Sequence, residues 1–168
     1  MGESRDRSVL DLGRAAGSSL EVYRRFARWV RFADLLFDPE AATDLTSALD
    51  AIPEHPERPY DVLLVWNILD RVAPEERPRV VSRLASLSAP DARLYLVVEP
   101  SSEGTRQPFR FGLADVDRIW YEPADEPLEV WPPLLPAEVE RLIEPFHVAH
   151  AFTTRVGLRE YVAGRQRR

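Results

Sequence analysis

Two near-continuous apolar, β-rich runs constrain this chain more than any other feature: Tyr60-Asp61-Val62-Leu63-Leu64-Val65-Trp66 and Arg93-Leu94-Tyr95-Leu96-Val97-Val98. Neither alternates apolar with polar residues, as a strand with one wet face would. Runs of this kind suit strands covered on both faces, as in a parallel sheet. Between them, Ala73 to Leu87 carries Val80, Val81, Leu84 and Leu87 at helical spacing, with Pro74 and Pro78 confined to its first turns. Strand, helix and strand in succession make a right-handed crossover unit.

The N-terminal part repeats that order. Ser8 to Leu12 reads as a short strand and Gly13 to Gly17 as a tight loop. Ser18 or Ser19 caps a helix with Leu20, Tyr23, Phe26, Ala27 and Val30 on one side, and Val30 to Ala33 forms a second strand ending at Asp34. A helix is expected around Ala41 to Leu49, and Ile52 to Pro59 leaves no room for a further strand and helix. From Pro100 to Pro136 lie seven of the fifteen prolines and two of the four tryptophans, with little periodicity. This stretch is expected to be an irregular, lid-like excursion, and its aromatic residues Phe109, Phe111, Trp120, Tyr121 and Trp131 argue against disorder. A short helix over Pro136 to Glu144 and a hairpin of Phe146 to Thr153 with Leu158 to Val162, turning at Gly157, complete the chain. The expectation is a single α/β domain over 1–168, with 1–7 and 165–168 frayed. Its architecture is a Rossmann-like three-layer sandwich whose mostly parallel sheet has about six strands and an antiparallel C-terminal hairpin strand.

Composition narrows the chemistry. All 22 basic residues are Arg, so Schiff-base chemistry and a lysine base are excluded, and no cysteine is present to serve as thiol nucleophile or metal ligand. A net charge of −6 speaks against general nucleic-acid binding. Met1 to Arg7 lacks the apolar core of a signal peptide, and no window approaches a membrane span. A cytoplasmic, bacterial protein is the expectation. His147 and His150 stand three apart on a strand and so face opposite ways, and no metal site is expected.

The segment richest in chemical meaning is Val9-Leu10-Asp11-Leu12-Gly13-Arg14-Ala15-Ala16-Gly17-Ser18-Ser19. A strand delivers an acid and then a small-residue turn into a helix start, where backbone N–H groups meet a polar or anionic ligand. Glycines at first, third and sixth positions, as nicotinamide dinucleotides require, would fall on Gly13, Ala15 and Ser18, and only one is glycine. The pattern Asp/Glu-x-Gly-x-Gly-x-Gly fits Asp11, Gly13, Ala15 and Gly17 with one exchange, and Asp34 follows Gly13 by 21 residues, where an acid accepts both ribose hydroxyls.

With these motifs the chain resembles the class I S-adenosylmethionine-dependent methyltransferases, in a trimmed form without the third strand. Asp11 to Gly17 resembles that family's first motif, Asp34 its ribose-binding acid, Tyr60 to Asp70 its fourth strand and following turn, and Leu158 to Val162 its last antiparallel strand. The resemblance implies S-adenosylmethionine as cofactor. Asp11, Gly13, Ala15, Gly17 and Asp34 would line it, Leu35 would pack on adenine, and the backbone of Trp66 and Asn67 would approach the methionine amino group. Read from the sequence alone, Trp66 suits core packing better than a cofactor wall. Asp70 and Glu99, just past strand ends, are candidate bases. Arg106, Arg110 and Tyr121 in the excursion are candidate substrate contacts, the arginines for a carboxylate or phosphate.

The function expected is methyl transfer to a small molecule. The alternative is a degenerate, non-catalytic methyltransferase-like module that binds a protein partner or a second copy through 100–136. It draws on Ala15, the absent third strand and the aromatic, proline-rich excursion.

Overall fold

The computed structural model describes residues 6–35, 44–54, 57–99, 109–123 and 131–165. A six-stranded sheet forms its centre, in the order β2-β1-β3-β4-β8-β7. The strands are β1 (Arg7–Asp11), β2 (Ala27–Phe32), β3 (Tyr60–Trp66), β4 (Ser88–Val98), β7 (Phe146–Thr153) and β8 (Arg159–Arg165). The first four run parallel, and β8 is antiparallel to both β4 and β7. Strands β5 (Phe109–Asp115) and β6 (Arg118–Pro123) form a separate antiparallel hairpin. The helices are α1 (Gly17–Tyr23), α2 (Leu45–Asp50), α3 (Arg77–Leu87) and α4 (Pro136–Leu142), with one 3-10 turn at Ile68–Asp70.

The two apolar runs take the central places their composition demands. Val9 and Leu10 of β1, Leu63 and Val65 of β3, and Leu96 and Val97 of β4 are all fully buried. Helix α3 lays Val80, Val81, Leu84 and Leu87 into the same core. Asp44 caps α2, its Oδ1 accepting from the Ser47 amide at 2.9 Å. Among the described residues no strand pairs with the outer edge of β2.

Several boundaries differ from expectation. Helix α1 stops at Tyr23, closed by bonds from the Arg25 and Phe26 amides to the carbonyls of Val22 and Tyr23. Phe26 therefore lies outside the helix, and Ala27 and Val30 belong to β2, whose β-branched and aromatic residues pair with β1. The α1 N-cap is Ala16, with no side-chain cap; Ser19 instead sends its hydroxyl to the Leu113 carbonyl at 3.1 Å. Helix α3 begins at Arg77, not Ala73. β4 begins at Ser88, immediately off α3, where Ser88 pairs with Tyr60.

The excursion is not irregular over 109–123. Phe109, Phe111 and Leu113 alternate along β5 and turn at Val116-Asp117 into β6. Neither Arg7 nor Arg165, expected to be frayed, is loose. Arg7 pairs with Ala27, and Arg165 donates from Nη1 to the carbonyls of Ala85 and Ser88 at 2.7 and 2.8 Å. In β7 a bulge between Val148 and His150 sets His147 opposite Gly164 and His150 opposite Val162. Those partners are two apart on β8, so the two histidines share a face, contrary to the plain alternation expected. Gly157 turns β7 into β8 at φ 86°, the left-handed region glycine favours.

Candidate functional site

The carboxyl ends of β1, β2, β3 and β4 deliver Asp11, Asp34, Trp66 with Asn67, and Glu99 to one rim of the sheet. Open α/β sheets place their ligands at such a rim. Backbone bonds draw the first two strand ends together: the Ala33 amide donates to the Asp11 carbonyl (2.8 Å), Asp34 to Gly13 (3.2 Å) and Leu35 to Leu12 (3.1 Å). The glycine turn and Asp34 thus converge. Asp34 and Trp66 both hold positive φ, 49° and 53°. Strained backbone in a non-glycine residue tends to gather at functional sites, and here both instances lie on the rim.

The Gly13–Gly17 turn has two characters. Ala15 and Gly17 are exposed, and a Cβ added at Gly17 would meet nothing within 4 Å. Gly13 is buried, and a Cβ there would lie 3.0 Å from the Trp66 indole nitrogen and 3.1 Å from Asp11 Oδ1. The close approach that glycine permits is used by the protein's own tryptophan.

Asp11 is buried inside this arrangement. Its Oδ1 accepts from the Gly13 amide (2.8 Å) and the Trp66 indole N–H (2.6 Å), and its Oδ2 accepts from the Tyr23 hydroxyl. Burial pushes its pKa up, against the lowering effect of the three donors. Burial and the facing carboxylate likewise push the Tyr23 phenol up, so it remains the donor. Trp66 is fully buried, edge-on to Tyr95 and parallel to Phe111 of β5 with ring centroids 6.1 Å apart. Leu35, expected on adenine, is buried in the core.

Beside this network, Asn67 is fully buried, and its Nδ2 donates to Glu99 Oε1 and to the Phe109 carbonyl. The Glu99 amide donates to Asp70 Oδ2 at 2.8 Å, so the two candidate bases stand together. Arg71, which sequence reasoning missed, donates to the Phe109 carbonyl at 2.8 Å. Burial lowers its pKa to about 10 while Glu99 and Asp70 oppose that fall, and the guanidinium stays charged at neutral pH. Arg110 is near enough to contribute to the same lowering. Tyr121 packs edge-on against Phe109 at 5.6 Å. Arg106 lies outside the described residues. Tyr23 and Phe111 were also missed as site residues; the alternation along 109–113 was the available signal for the latter.

A mostly parallel sheet in the order β2-β1-β3-β4-β8-β7, with an antiparallel C-terminal pair and an acid at the end of β2, is the class I methyltransferase fold. Known structures bear this out. The Burkholderia thailandensis 1,6-didemethyltoxoflavin-N1-methyltransferase, solved with bound 1,6-didemethyltoxoflavin and S-adenosylhomocysteine, matches 96% of this chain and 72% of its own at TM-score 0.58 and 18% identity. The N-methyltransferase NodS from Bradyrhizobium japonicum matches 95% of this chain and 86% of its own at TM-score 0.57 and 11% identity. The glycopeptide N-methyltransferase MtfA, complexed with S-adenosylmethionine, matches 95% and 87% at TM-score 0.52 and 13% identity. Identities this low show a shared fold. No protein-family model and no curated protein matches the sequence.

Proposed function

We propose that this chain is an S-adenosylmethionine-dependent methyltransferase acting on a small molecule. The convergence of the Gly13 turn with Asp34 carries the reading, because backbone bonds bring the small-residue turn and the residue bearing the carboxylate side by side at the sheet rim. The residues present fit that half of the cofactor: Ala15 and Gly17 are exposed, the space over Gly17 is open, and Asp34 is only partly buried. Asp34 would hold the ribose hydroxyls and the 13–17 turn would face the adjoining chain. The cofactor, when bound, supplies an electrophilic methyl group on sulfur. The protein's part is alignment and exclusion of water, which the aromatic wall of Trp66, Phe109 and Phe111 favours. Glu99 reaches this wall through Asn67 and the Phe109 amide, with Asp70 on the Glu99 amide, and these two carboxylates are the candidate bases. Among the described residues no helix is long and apolar enough to cross a membrane, and we place the protein in the bacterial cytoplasm.

Calorimetry with S-adenosylhomocysteine tests the reading. Binding is expected, weakened at least about tenfold by Asp34→Ala, the loss of two charge-assisted hydrogen bonds. A folded protein that releases no heat with millimolar ligand would end it. One observation favours a second reading, a non-catalytic module on the same fold: Trp66 already fills the approach over Gly13. A partner retained in pull-down, together with silence in calorimetry, would select that reading.

A further inference from the structure

The polar cluster beneath β5 has a feature that holding a hairpin does not require. Asn67 Oδ1 and Arg71 Nε are buried and have no hydrogen-bond partner. Natural interiors rarely leave a buried donor or acceptor unmet, since each forfeits its hydration. Both belong to residues whose other atoms grip one group, the Phe109 carbonyl, at 3.2 Å from Asn67 Nδ2 and 2.8 Å from Arg71 Nη2. Glu99 Oε1 faces the Phe109 amide at 3.4 Å, a long contact. Next to this carbonyl the Phe111 ring lies parallel to Trp66, and Phe109 and Tyr121 complete an aromatic cluster. The hairpin therefore presents to the sheet rim a carbonyl oxygen flanked by flat rings, on a floor with hydrogen-bonding capacity to spare. Elsewhere the hairpin is held by apolar packing, with Phe111 buried and Phe109, Leu113 and Ile119 against the core, by Ser19 Oγ donating to the Leu113 carbonyl and by an exposed ion pair of Arg25 with Asp115.

We propose that this floor, made by Asn67, Arg71 and Glu99 with Trp66 as its wall, is the acceptor site, and that the β5–β6 hairpin is a lid that fills it in the closed state. The acceptor is then a small aromatic compound bearing a carbonyl or carboxylate oxygen. That oxygen replaces the Phe109 carbonyl between Asn67 and Arg71, and its ring replaces Phe111 against Trp66. The assignment rests on the methyltransferase reading, and its test separates the two.

Benzoate and benzamide serve as probes on the full chain, with cyclohexylamine as the control lacking both an aromatic ring and an oxygen. The readout is the Trp66 indole N–H resonance, identified by its loss in Trp66→Phe, together with hydrogen exchange of the 109–123 amides. In the wild type these amides exchange as a unit, faster than those of β3, and Phe111→Ala speeds them about tenfold or more. Both probes shift the Trp66 resonance, at about tenfold lower concentration in Phe111→Ala because the lid no longer competes. Arg71→Gln weakens benzoate about tenfold and changes benzamide far less, since only the carboxylate uses the charge. Phe111→Leu replaces Phe111→Ala should the latter fail to fold. Hairpin amides as protected as β3 in both proteins, or a Trp66 resonance that neither probe moves, would overturn the assignment. Probe binding without any response to millimolar S-adenosylhomocysteine would leave the pocket and remove methyl transfer. A response to S-adenosylhomocysteine with neither probe bound would do the reverse.

Discussion

At Asp11 three donors meet one buried carboxylate: the Gly13 amide, the Trp66 indole and the Tyr23 hydroxyl. Burial nonetheless holds its folded pKa above 3.8. An acid with a raised folded pKa binds its proton more tightly when folded, so the associated stability is present below 3.8 and is lost as pH rises through the folded value. Asp11→Asn removes this titration while keeping an acceptor for Gly13 and Trp66 and offering a donor to Tyr23. The unfolding free energy of wild type relative to Asp11→Asn, from urea titrations, should fall with pH across that window and then level off. A relative stability that rises with pH would show the donors outweighing burial. At Gly13 an added methyl would stand 3.0 Å from an indole nitrogen and 3.1 Å from a carboxylate that are bonded to each other, so neither can yield. Gly13→Ala should cost about 1–3 kcal/mol in the same assay. The Asp11–Gly13 pair was legible because acid, turn and helix start lie within a few residues. Tyr23 and Trp66 were not legible as its partners, being 12 and 55 residues distant.

Among the elements, α3 and the central strands followed from hydrophobic pattern, because full burial on both faces leaves a run of apolar residues with no alternation to misread. Leu84, 1% exposed on α3, makes the dependence measurable: Leu84→Ala should destabilise by about 2–5 kcal/mol in denaturant unfolding. Helix α1 was harder. Phe26, Ala27 and Val30 fit its apolar face by spacing, yet backbone pairing of 27–32 with β1 outweighs that local fit. The β5–β6 hairpin was hidden by the prolines around it, although its own alternation is regular. The bulge in β7 has no local cue, since it arises from register with β8, and it reverses the expected facing of His147 and His150.

For the whole molecule, the C-terminal strand is decisive. β8 lies between β4 and β7, so β7 reaches the sheet only through it, and Arg165 ties its end to the Ala85 and Ser88 carbonyls. A chain ending at Gly157 should lose cooperative thermal unfolding by circular dichroism, because it forfeits two strands of the six. Ligand linkage acts at the same scale. A ligand that binds only the folded state stabilises it by about 2.7 kcal/mol at a hundred times its Kd. S-adenosylhomocysteine should therefore raise the melting temperature of wild type, and an unchanged melting curve at saturating concentration would count against the proposed function.

The sequence by itself determined the strand–helix–strand core, the acid-and-glycine turn at the end of β1 and the acid at the end of β2, because each is written within a short stretch of chain by burial, turn geometry or spacing. Only the tertiary structure decided that Trp66 takes the space over Gly13, that Tyr23 and Trp66 share Asp11, and that the β5–β6 hairpin sits on Asn67 and Arg71. Those contacts join residues far apart in the chain, and it is packing that selects which distant side chain fills a given space.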